Sequence, residues 1–432
     1  MKKGHIRNIA IIAHVDHGKT TLLNALMKQT GAFSTSREVE DRVMDSMDLE
    51  KERGITIAAK NTAIQFNGVK INIVDTPGHA DFGGEVERSL NMVDGAILLV
   101  DASEGPLPQT RFVLKKALEK DLPLIVVINK IDRPDARIPE VISETYDLFI
   151  DLGALERQIE FPIIYTNAKA GTGGKNPGDI AANLEPLLQA VIDTIPPPAG
   201  DDRANVQFLV TNLDYDSYVG QIAIGRLQAG RLEMNSLYTL CALDGLRAGV
   251  RFSALYTFSG LTKKTVRSAE AGDIIALAGV DGVKIGDTIS SADNPVALPR
   301  LVVDEPTVSM VFCVNDGPFA GRDGRYLTSR HLLERLEKEA LGNVAVRIKK
   351  LARTDAFEVC GRGELQMAVL IETMRREGFE LAVSKPQVIT KTIDGKVYEP
   401  VERLFIDIPE EFVGRITEKL SGRRGRLEGL VN

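Results

Sequence analysis

The first 200 residues alternate between short apolar runs and longer segments whose apolar residues recur at helical spacing. This alternation predicts a mostly parallel α/β sheet that is covered by helices. The predicted strands are 6–13, 62–66, 69–75, 95–101, 123–129 and 162–166, and the predicted helices are 19–29, 85–91, 109–120, 138–152 and 180–194. Asn67-Gly68 is a strong hairpin signal, so strands 62–66 and 69–75 should be antiparallel.

The segment 31–60 is polar and lacks a regular apolar period. A loop of this length inside a compact domain is usually functional or mobile. We therefore expect this segment to take part in function.

The pattern changes after the prolines at 196–198, because consecutive prolines cannot continue a helix and form a stiff spacer. From residue 207 to about 300, apolar and polar positions alternate and glycines are frequent, which predicts a small β-barrel. Residues 304–386 read strand, helix, strand, strand, helix, strand, which is a ferredoxin-like order. The strands there are 307–314, 344–351, 357–361 and 380–383, and the helices are 329–340 and 364–376.

A strand at 397–408 and a helix at 410–420 predict the first half of a second ferredoxin-like unit. Half of such a sheet cannot cover its own helix, so we expect a truncated chain. Residues 413–432 carry five basic and two acidic side chains. This end of the chain is either a patch for RNA phosphate or a solvated terminus.

Composition adds bounds to this picture. The net charge of −7 excludes a generally basic nucleic-acid binder, so any RNA contact needs a local basic patch. Cys241, Cys313 and Cys360 are widely spaced in apolar surroundings, which indicates reduced thiols in a cytoplasmic protein and not a disulfide frame or zinc site. No apolar run approaches the ~18 residues of a membrane span, and the N-terminus does not read as a signal peptide.

The chemistry begins in the run from Ala13 to Thr20, which lies between a predicted strand and a predicted helix. A strand, a tight loop ending in Gly18-Lys19-Thr20 and a helix are the context of a Walker A phosphate loop. Backbone N–H groups and the helix dipole favour anions there. Lys19 would reach the β- and γ-phosphates, and the Thr20 hydroxyl would bind Mg²⁺. Taken alone, this triplet is equally compatible with an ordinary helix start.

Two further strand ends carry polar groups, as expected at the carboxyl edge of an open α/β sheet. Strand 69–75 ends in a run from Asp75 to His79, where a carboxylate can hold Mg²⁺ through water and Gly78 lets a backbone N–H approach a phosphate. Strand 123–129 ends in a run from Asn129 to Asp132, whose carboxylate can accept both N1–H and the 2-amino group of guanine. Each run alone could be a plain strand-to-helix turn. Their joint occurrence at three strand ends indicates a guanine-nucleotide site.

Together these motifs resemble those of the GTPase superfamily. Within it, the segments 16–20, 53–57 and 75–79 resemble the translational GTPases, a family that often has no glycine at the position of Ala13. The nucleotide-binding positions that the resemblance implies are Asp16, His17, Gly18, Lys19, Thr20, Thr21, Gly78, Asn129, Lys130, Asp132, Ala168 and Lys169.

The same resemblance assigns catalytic and metal positions. His79 would position the attacking water, and Val15 and Ile55 would form an apolar gate beside it. Lys19 is also a catalytic position, through its contact with the β- and γ-phosphates. The implied Mg²⁺ ligands are Thr20, Thr56 and Asp75.

Four positions in or beside these motifs depart from the usual pattern or leave a choice open. Asn167 precedes Ala168 where the family more often has Ser. Asp16 would either bind a monovalent cation or brace the loop by hydrogen bonds, and we favour the cation. His14 and His17 do not have the spacing of a zinc site, so we expect them to pack the loop.

The resemblance extends along the chain. Segments 220–226 and 271–276 resemble the second domain of translational GTPases, and segment 362–366 resembles the third domain of elongation factor G. Segments 317–322, 328–330 and 374–380 are similar to the BipA (TypA) family of ribosome-associated GTPases. The expected architecture is multidomain: an α/β P-loop GTPase domain at 1–200, a β-barrel at 201–303, an α+β ferredoxin-like domain at 304–390 and the start of a second one at 391–432.

The resemblance implies a cytoplasmic, monomeric GTPase that binds GTP and GDP with Mg²⁺ and contacts ribosomal RNA and proteins, with no membrane partner. GTP would order the segment 31–60 and the loop after Gly78, and hydrolysis would release them, as a switch in translation, ribosome assembly or stress adaptation. The alternatives are a LepA- or elongation factor G-like translocation factor and a nucleotide-gated assembly protein with incidental turnover. The run from Asn129 to Asp132 argues against a P-loop ATPase or kinase.

Overall fold

The apolar runs of the N-terminal region form one eight-stranded sheet in the computed structural model, which describes residues 3–32, 48–216, 218–301 and 303–430. The strands are β1 Ile6–Ala13, β2 Lys60–Phe66, β3 Val69–Asp75, β4 Gly95–Asp101, β5 Leu124–Asn129, β6 Ile163–Asn167, β7 Thr172–Asn176 and β8 Asp179–Ala181. The helices are α1 Lys19–Gln29, α2 Asp48–Arg53, α3 Gly83–Leu90, α4 Pro108–Glu119, α5 Ile138–Asp151, α6 Glu156–Ile159 and α7 Glu185–Thr194.

The strand order in this sheet is β2-β3-β1-β4-β5-β6-β7-β8. Strands β3, β1, β4, β5 and β6 are parallel, and β2 pairs antiparallel with β3 as the Asn67-Gly68 hairpin predicts. Helices cover both faces. In β4, Leu98 packs into the apolar core on one face and Leu99 into the core on the other. A central parallel strand is therefore apolar at consecutive positions because neither of its faces meets water.

Two predictions for this region need correction: the start of the helix predicted over 180–194, and the interpretation of the segment 31–60 as a loop. The helix predicted over 180–194 begins at Glu185, because Pro186 favours a helix start and the residues before it form β8. Strands β7 and β8, which the sequence analysis did not predict, form an antiparallel extension of the sheet. Glycine at position 174 permits their close approach, because a Cβ there would lie 2.2 Å from the carbonyl oxygen of Asp179. The segment 31–60 contains α2, and its residues 33–47 lie outside the described ranges.

The second region is an eight-stranded antiparallel sheet in the order β13-β12-β18-β9-β10-β17-β14-β15, with a two-stranded ribbon of β11 and β16. Its strands are β9 Gln207–Asp216, β10 Gly220–Ala229, β11 Arg231–Glu233, β12 Tyr238–Ala242, β13 Gly245–Val250, β14 Ala254–Ser259, β15 Thr262–Thr265, β16 Ser268–Glu270, β17 Ile274–Ala278 and β18 Thr288–Ser291. Phe208, Leu227, Leu240, Leu255 and Ile289, each from a different strand, meet in one core, so the sheet curls around its own apolar face as expected of a barrel.

The barrel is fixed to the α/β layer by buried polar contacts. Lys70 Nζ lies 2.7 Å from Asp273 Oδ1, and Arg226 Nη2 lies 2.8 Å from Asp94 Oδ1. The backbones of Ala63 and Gly260 also hydrogen-bond to each other. Breaking one partner of such a buried pair is costly, so these contacts favour a single arrangement of the two regions.

The third region has the ferredoxin-like order that the sequence predicts. Its elements are β19 Val308–Val314, α8 Ser329–Gly342, β20 Arg347–Lys350, β21 Ala356–Gly361, α9 Glu364–Glu377 and β22 Leu381–Val383, followed by β23 Gln387–Val388. The antiparallel sheet order is β20-β21-β19-β22, and β23 also pairs with β19. Phe312, Leu336, Val359 and Met374 form the core between the sheet and its two helices.

The strand predicted over 397–408 is wrong. Beyond the third region, β24 Lys391–Ile393 and β25 Lys396–Tyr398 form a short hairpin, and the chain then divides into a second compact unit, Val401–Asn432. An alternating pattern forms a strand only beside a hydrogen-bonded neighbour, and residues 399–408 have no strand assignment. Val401 and Leu404 in this segment are exposed. The predicted helix does form, as a short 3-10 turn and α10 Val413–Ser421.

Candidate nucleotide-binding site

The loop between β1 and α1 has the backbone of a phosphate-binding loop. Gly18 has a φ of 96°, and a Cβ at this position would lie 2.5 Å from Asn129 Nδ2. Glycine is therefore required both by the left-handed backbone and by the close approach of Asn129. Gly18 also leaves the first N–H groups of α1 without a side-chain cap. These donors and the helix dipole are suited to an anion.

Lys19 and Asp75 form a buried ion pair at the centre of this edge. Lys19 Nζ lies 2.8 Å from Asp75 Oδ1 and also donates to the carbonyl oxygen of Thr76. Apart from this ion pair, neither carboxylate oxygen of Asp75 has a hydrogen-bond donor among the residues that the structure describes. A buried carboxylate with free acceptor capacity, next to the half-buried Thr20 at the start of α1, is a donor set that fits Mg²⁺.

The segment after β3 packs directly on the end of β1. A Cβ on Gly78 would lie 2.7 Å from the carbonyl oxygen of Ala13, so only glycine permits this approach. The next residue, His79, is partly exposed and caps a 3-10 turn over Ala80–Phe82. Its Nδ1 accepts a hydrogen bond of 3.2 Å from the N–H of Asp81, and its ring lies edge-on to Phe82.

Thr56 lies in a segment that a buried carboxylate holds in place. Glu50 is fully buried in α2 and accepts hydrogen bonds from the N–H groups of Ile57 (3.0 Å) and Ala58 (3.3 Å), as well as from Lys60. Thr56 itself is nearly buried. Sequence reasoning missed Glu50, because nothing in its run of charged neighbours indicates which side chain turns inward.

The apolar residues predicted beside His79 lie in different surroundings. Ile55 packs against a cluster that includes Phe82, three residues beyond His79. Val15 is half-buried in the phosphate loop. Asp16 is exposed in the same loop, with a φ of 64°. The predicted gate and the predicted cation at Asp16 stay predictions.

Asn129 joins the phosphate loop to the predicted base-binding segments. Its Nδ2 donates to the His17 carbonyl oxygen at 2.9 Å, and its Oδ1 accepts from the Thr166 hydroxyl and the Ala168 N–H, both at 3.0 Å. All three bonds are buried. Ala168 is itself buried, whereas Lys169 is exposed. The network therefore fixes three chain segments relative to one another, and Thr166 is a member that sequence reasoning did not identify.

Lys130 is held by a second carboxylate that the motifs did not reveal. Its Nζ lies 2.6 Å from Asp101 Oδ2, at the end of β4. Burial alone would raise the pKa of Asp101, but hydrogen bonds from Lys130 and Ser103 lower that pKa well below its usual range. The charge pair orients the stem of Lys130, which has a positive φ of 59°. Asp132 lies exposed two residues further on.

His17 is enclosed in the loop. Its ring is fully buried, its Nδ1 lies 3.3 Å from the Leu99 carbonyl oxygen, and the His14 ring is 5.2 Å away between centroids. Burial and the neighbouring His14 lower the pKa of His17 to about 4. The ring is therefore neutral at pH 7 and fills the space behind the phosphate loop. Thr21 is exposed on the first turn of α1.

Comparison with known proteins gives the same class. A family model described as the elongation factor Tu GTP binding domain matches residues 4–197, and one described as elongation factor G domain 2 matches residues 205–292. A crystal structure of a Thermus thermophilus protein superposes with a TM-score of 0.67 at 21% identity, covering 92% of this chain and 72% of that one. The fold and the site thus define a GTPase of the type found among elongation factors.

Curated relatives narrow this class to one family. The large ribosomal subunit assembly factor BipA of Salmonella typhimurium is 52% identical over 426 residues, 99% of this chain and 70% of that protein. The proteins of the same name from Bacillus subtilis and Haemophilus influenzae are 50% and 51% identical, over 70% and 69% of their lengths. The chain belongs to the BipA family. Among the helices in the described ranges, none is both long and apolar enough to cross a lipid bilayer.

Proposed function

We propose that this GTPase is a nucleotide-dependent switch that acts on the ribosome, with assembly of the large subunit as its process. The family relatives named above carry that role in their names. The observation that supports the nucleotide-dependent part of the proposal is the Asn129 network, in which one side chain hydrogen-bonds to the His17 carbonyl oxygen and to the Ala168 N–H. We further propose that it acts as a monomer in the cytoplasm, without a membrane partner.

In the proposed site, guanine is read by Asp132, whose exposed carboxylate accepts from N1–H and the 2-amino group. Lys130, oriented by Asp101, covers the base with its stem. Ala168 and Lys169 would lie beside the base at the neighbouring strand end, where the Ala168 N–H is held by Asn129 Oδ1. Adenine lacks the donors that Asp132 needs, so the site selects guanine.

The phosphates bind in the loop from Asp16 to Thr21, where N–H groups of the loop and of α1 face them. Lys19 neutralises the β- and γ-phosphates, and the N–H of Gly78 approaches the γ-phosphate. Thr20, Thr56 and Asp75 would hold Mg²⁺, which neutralises the charge that develops on the phosphates. Lys19 and Asp75 form an ion pair of 2.8 Å, so the two charged groups assigned to the phosphates and to Mg²⁺ are neighbours.

For hydrolysis, His79 positions the attacking water, while Val15 and Ile55 flank it and exclude bulk solvent. Catalysis consists of positioning and electrostatic stabilisation, because phosphoryl transfer needs little covalent chemistry from the protein. The loss of the γ-phosphate then releases Thr56 and the segment after Gly78. A monovalent cation at Asp16 would add positive charge near the phosphates.

The test is the turnover of GTP and ATP by this chain with and without purified large ribosomal subunits. We expect slow hydrolysis of GTP, no use of ATP, and faster GTP turnover with the subunits. Equal rates with and without subunits, at concentrations where the two co-sediment, would contradict the ribosomal role. Equal binding of GTP and ATP would contradict the base-reading assignment.

A further inference from the structure

Helix α9 of the ferredoxin-like region begins without a capping side chain of its own. Its N-cap residue is Gly363, and the helix starts at Glu364. The N–H groups of the first turn of a helix have no partner within the helix, and a side-chain oxygen at the N-cap usually accepts from the second or third of them. Gly363 has no such oxygen.

Asp81 of the α/β region supplies the missing acceptor. Its Oδ2 accepts a hydrogen bond of 2.8 Å from the N–H of Leu365 and one of 3.3 Å from the N–H of Gln366. These are the donors that an N-cap side chain would satisfy. A Cβ on Gly363 would lie 2.3 Å from the Asp81 carboxylate, so the glycine makes room for a cap that comes from another part of the chain.

Asp81 is also the residue that holds His79. The Asp81 N–H donates to Nδ1 of His79 at 3.2 Å, and Asp81 Oδ1 lies 3.4 Å from the same nitrogen. Burial raises the pKa of Asp81, but the neighbouring His79 ring and hydrogen bonds from the N–H groups of Gln366 and Leu365 lower that pKa overall, so the carboxylate is ionised at neutral pH. One residue thus contacts both the His79 ring and the start of α9.

The other end of α9 contacts the segment that precedes Thr56. Arg376, in the last turn of α9, donates to both carboxylate oxygens of Glu52 in α2, at 2.9 and 2.6 Å. This second link is largely exposed and contributes little by itself. The Asp81 link is more enclosed, so it is the stronger of the two attachments that join α9 to the segments around His79 and before Thr56.

We propose that Asp81 is a positioning residue that ties His79 to the ferredoxin-like region. While Asp81 caps α9, Nδ1 of His79 is engaged and the ring is held in this orientation. A movement of the ferredoxin-like region withdraws the cap and frees His79 to turn toward the nucleotide. The inference rests on the proposed role of His79 in hydrolysis.

Three variants test this link from both sides. Asp81→Ala removes the cap and the carboxylate oxygen 3.4 Å from His79 Nδ1, and it keeps the backbone N–H that donates to that nitrogen. Gly363→Ala displaces the Asp81 carboxylate from within the ferredoxin-like region. Asp81→Asn retains an oxygen that can cap the helix, because Asn and Asp are comparable at the N-cap. Gly342→Ala is the matched control, since it is the same change in the same region and its Cβ would meet no atom within 4 Å in the part of the chain that the structure describes.

The first readout is the ring ¹⁵N signal of His79 in histidine-labelled protein, which has five histidines and is assigned with His79→Gln. We expect the Nδ1 signal to shift in Asp81→Ala and Gly363→Ala and to stay near its native position in Asp81→Asn and Gly342→Ala. The second readout is GTP turnover without ribosomes. We expect kcat to rise about fivefold with KM unchanged in the two shifted variants, the factor that corresponds to one net hydrogen bond.

An unchanged His79 signal in both Asp81→Ala and Gly363→Ala would overturn the proposal. A shifted signal with native kcat would overturn its kinetic part. Failure of the proposed function is seen separately, as native turnover in His79→Gln. Circular dichroism of each variant identifies a change that only disturbs folding, and Gly363→Ala then decides the case if Asp81→Ala does not fold.

Discussion

Replacing Asn129 with alanine tests whether the site depends on the network that joins its segments. The side chain makes three buried hydrogen bonds, to the His17 carbonyl oxygen, the Thr166 hydroxyl and the Ala168 N–H. One net hydrogen bond contributes about 1 kcal/mol, so loss of all three destabilises the pre-formed site by about 3 kcal/mol. If nucleotide binds only the ordered arrangement, the Kd for GDP rises about a hundredfold.

The measurement is a titration of the apo chain with a fluorescent GDP analogue. Thr166→Val removes only one of the three bonds, so we expect its Kd to rise about fivefold. Asn167→Ala is the control, because Asn167 follows Thr166 in the strand and, among the described residues, its Oδ1 accepts one local, exposed hydrogen bond, from the Ala170 N–H at 3.0 Å. A Kd for Asn129→Ala within fivefold of the native value would refute the argument that this network organises the site.

Three further predictions address the base, the chemistry and the buried histidine. Asp132→Asn should weaken GTP by about 2 to 3 kcal/mol and gain xanthosine triphosphate, and unchanged competition between GTP and ATP would contradict its role. Lys19→Ala should abolish tight nucleotide binding. His79→Ala should keep GTP affinity but lower the ribosome-stimulated kcat at least about a hundredfold. Normal stimulated turnover in His79→Ala would assign the water-positioning role to another residue. The pKa of His17 in the folded chain, about 4, lies below the ordinary 6.5, so the unfolded chain binds the proton more readily. The free energy of unfolding is therefore highest above pH 6.5 and should fall by about 3 kcal/mol as the pH drops toward 4. Urea unfolding at pH 7 and pH 4.5 measures this loss, and His17→Gln should reduce the difference.

The order of elements in the first 200 residues is readable from the sequence because it rests on local information. Apolar spacing predicts β1, β3, β4 and β5, and the Asn67-Gly68 turn predicts the antiparallel β2–β3 pair. The polar runs after β1, β3 and β5 then converge because parallel strands share one carboxyl edge. For this reason the positions of Lys19, Asp75 and Asn129 could be predicted together without coordinates.

The tertiary structure decided which other charged groups act at the site. Asp101 and Glu50 are ordinary acidic residues in the sequence, and only packing shows that they are buried against Lys130 and the N–H groups after Thr56. Periodicity also mispredicted the strand at 397–408, because an alternating pattern has no strand without a neighbour. Burial and pairing depend on contacts between distant residues, and the Asp81 cap on α9 spans 284 positions. Sequence spacing carries no information at that range, so the link between His79 and the ferredoxin-like region is a property of the folded chain alone.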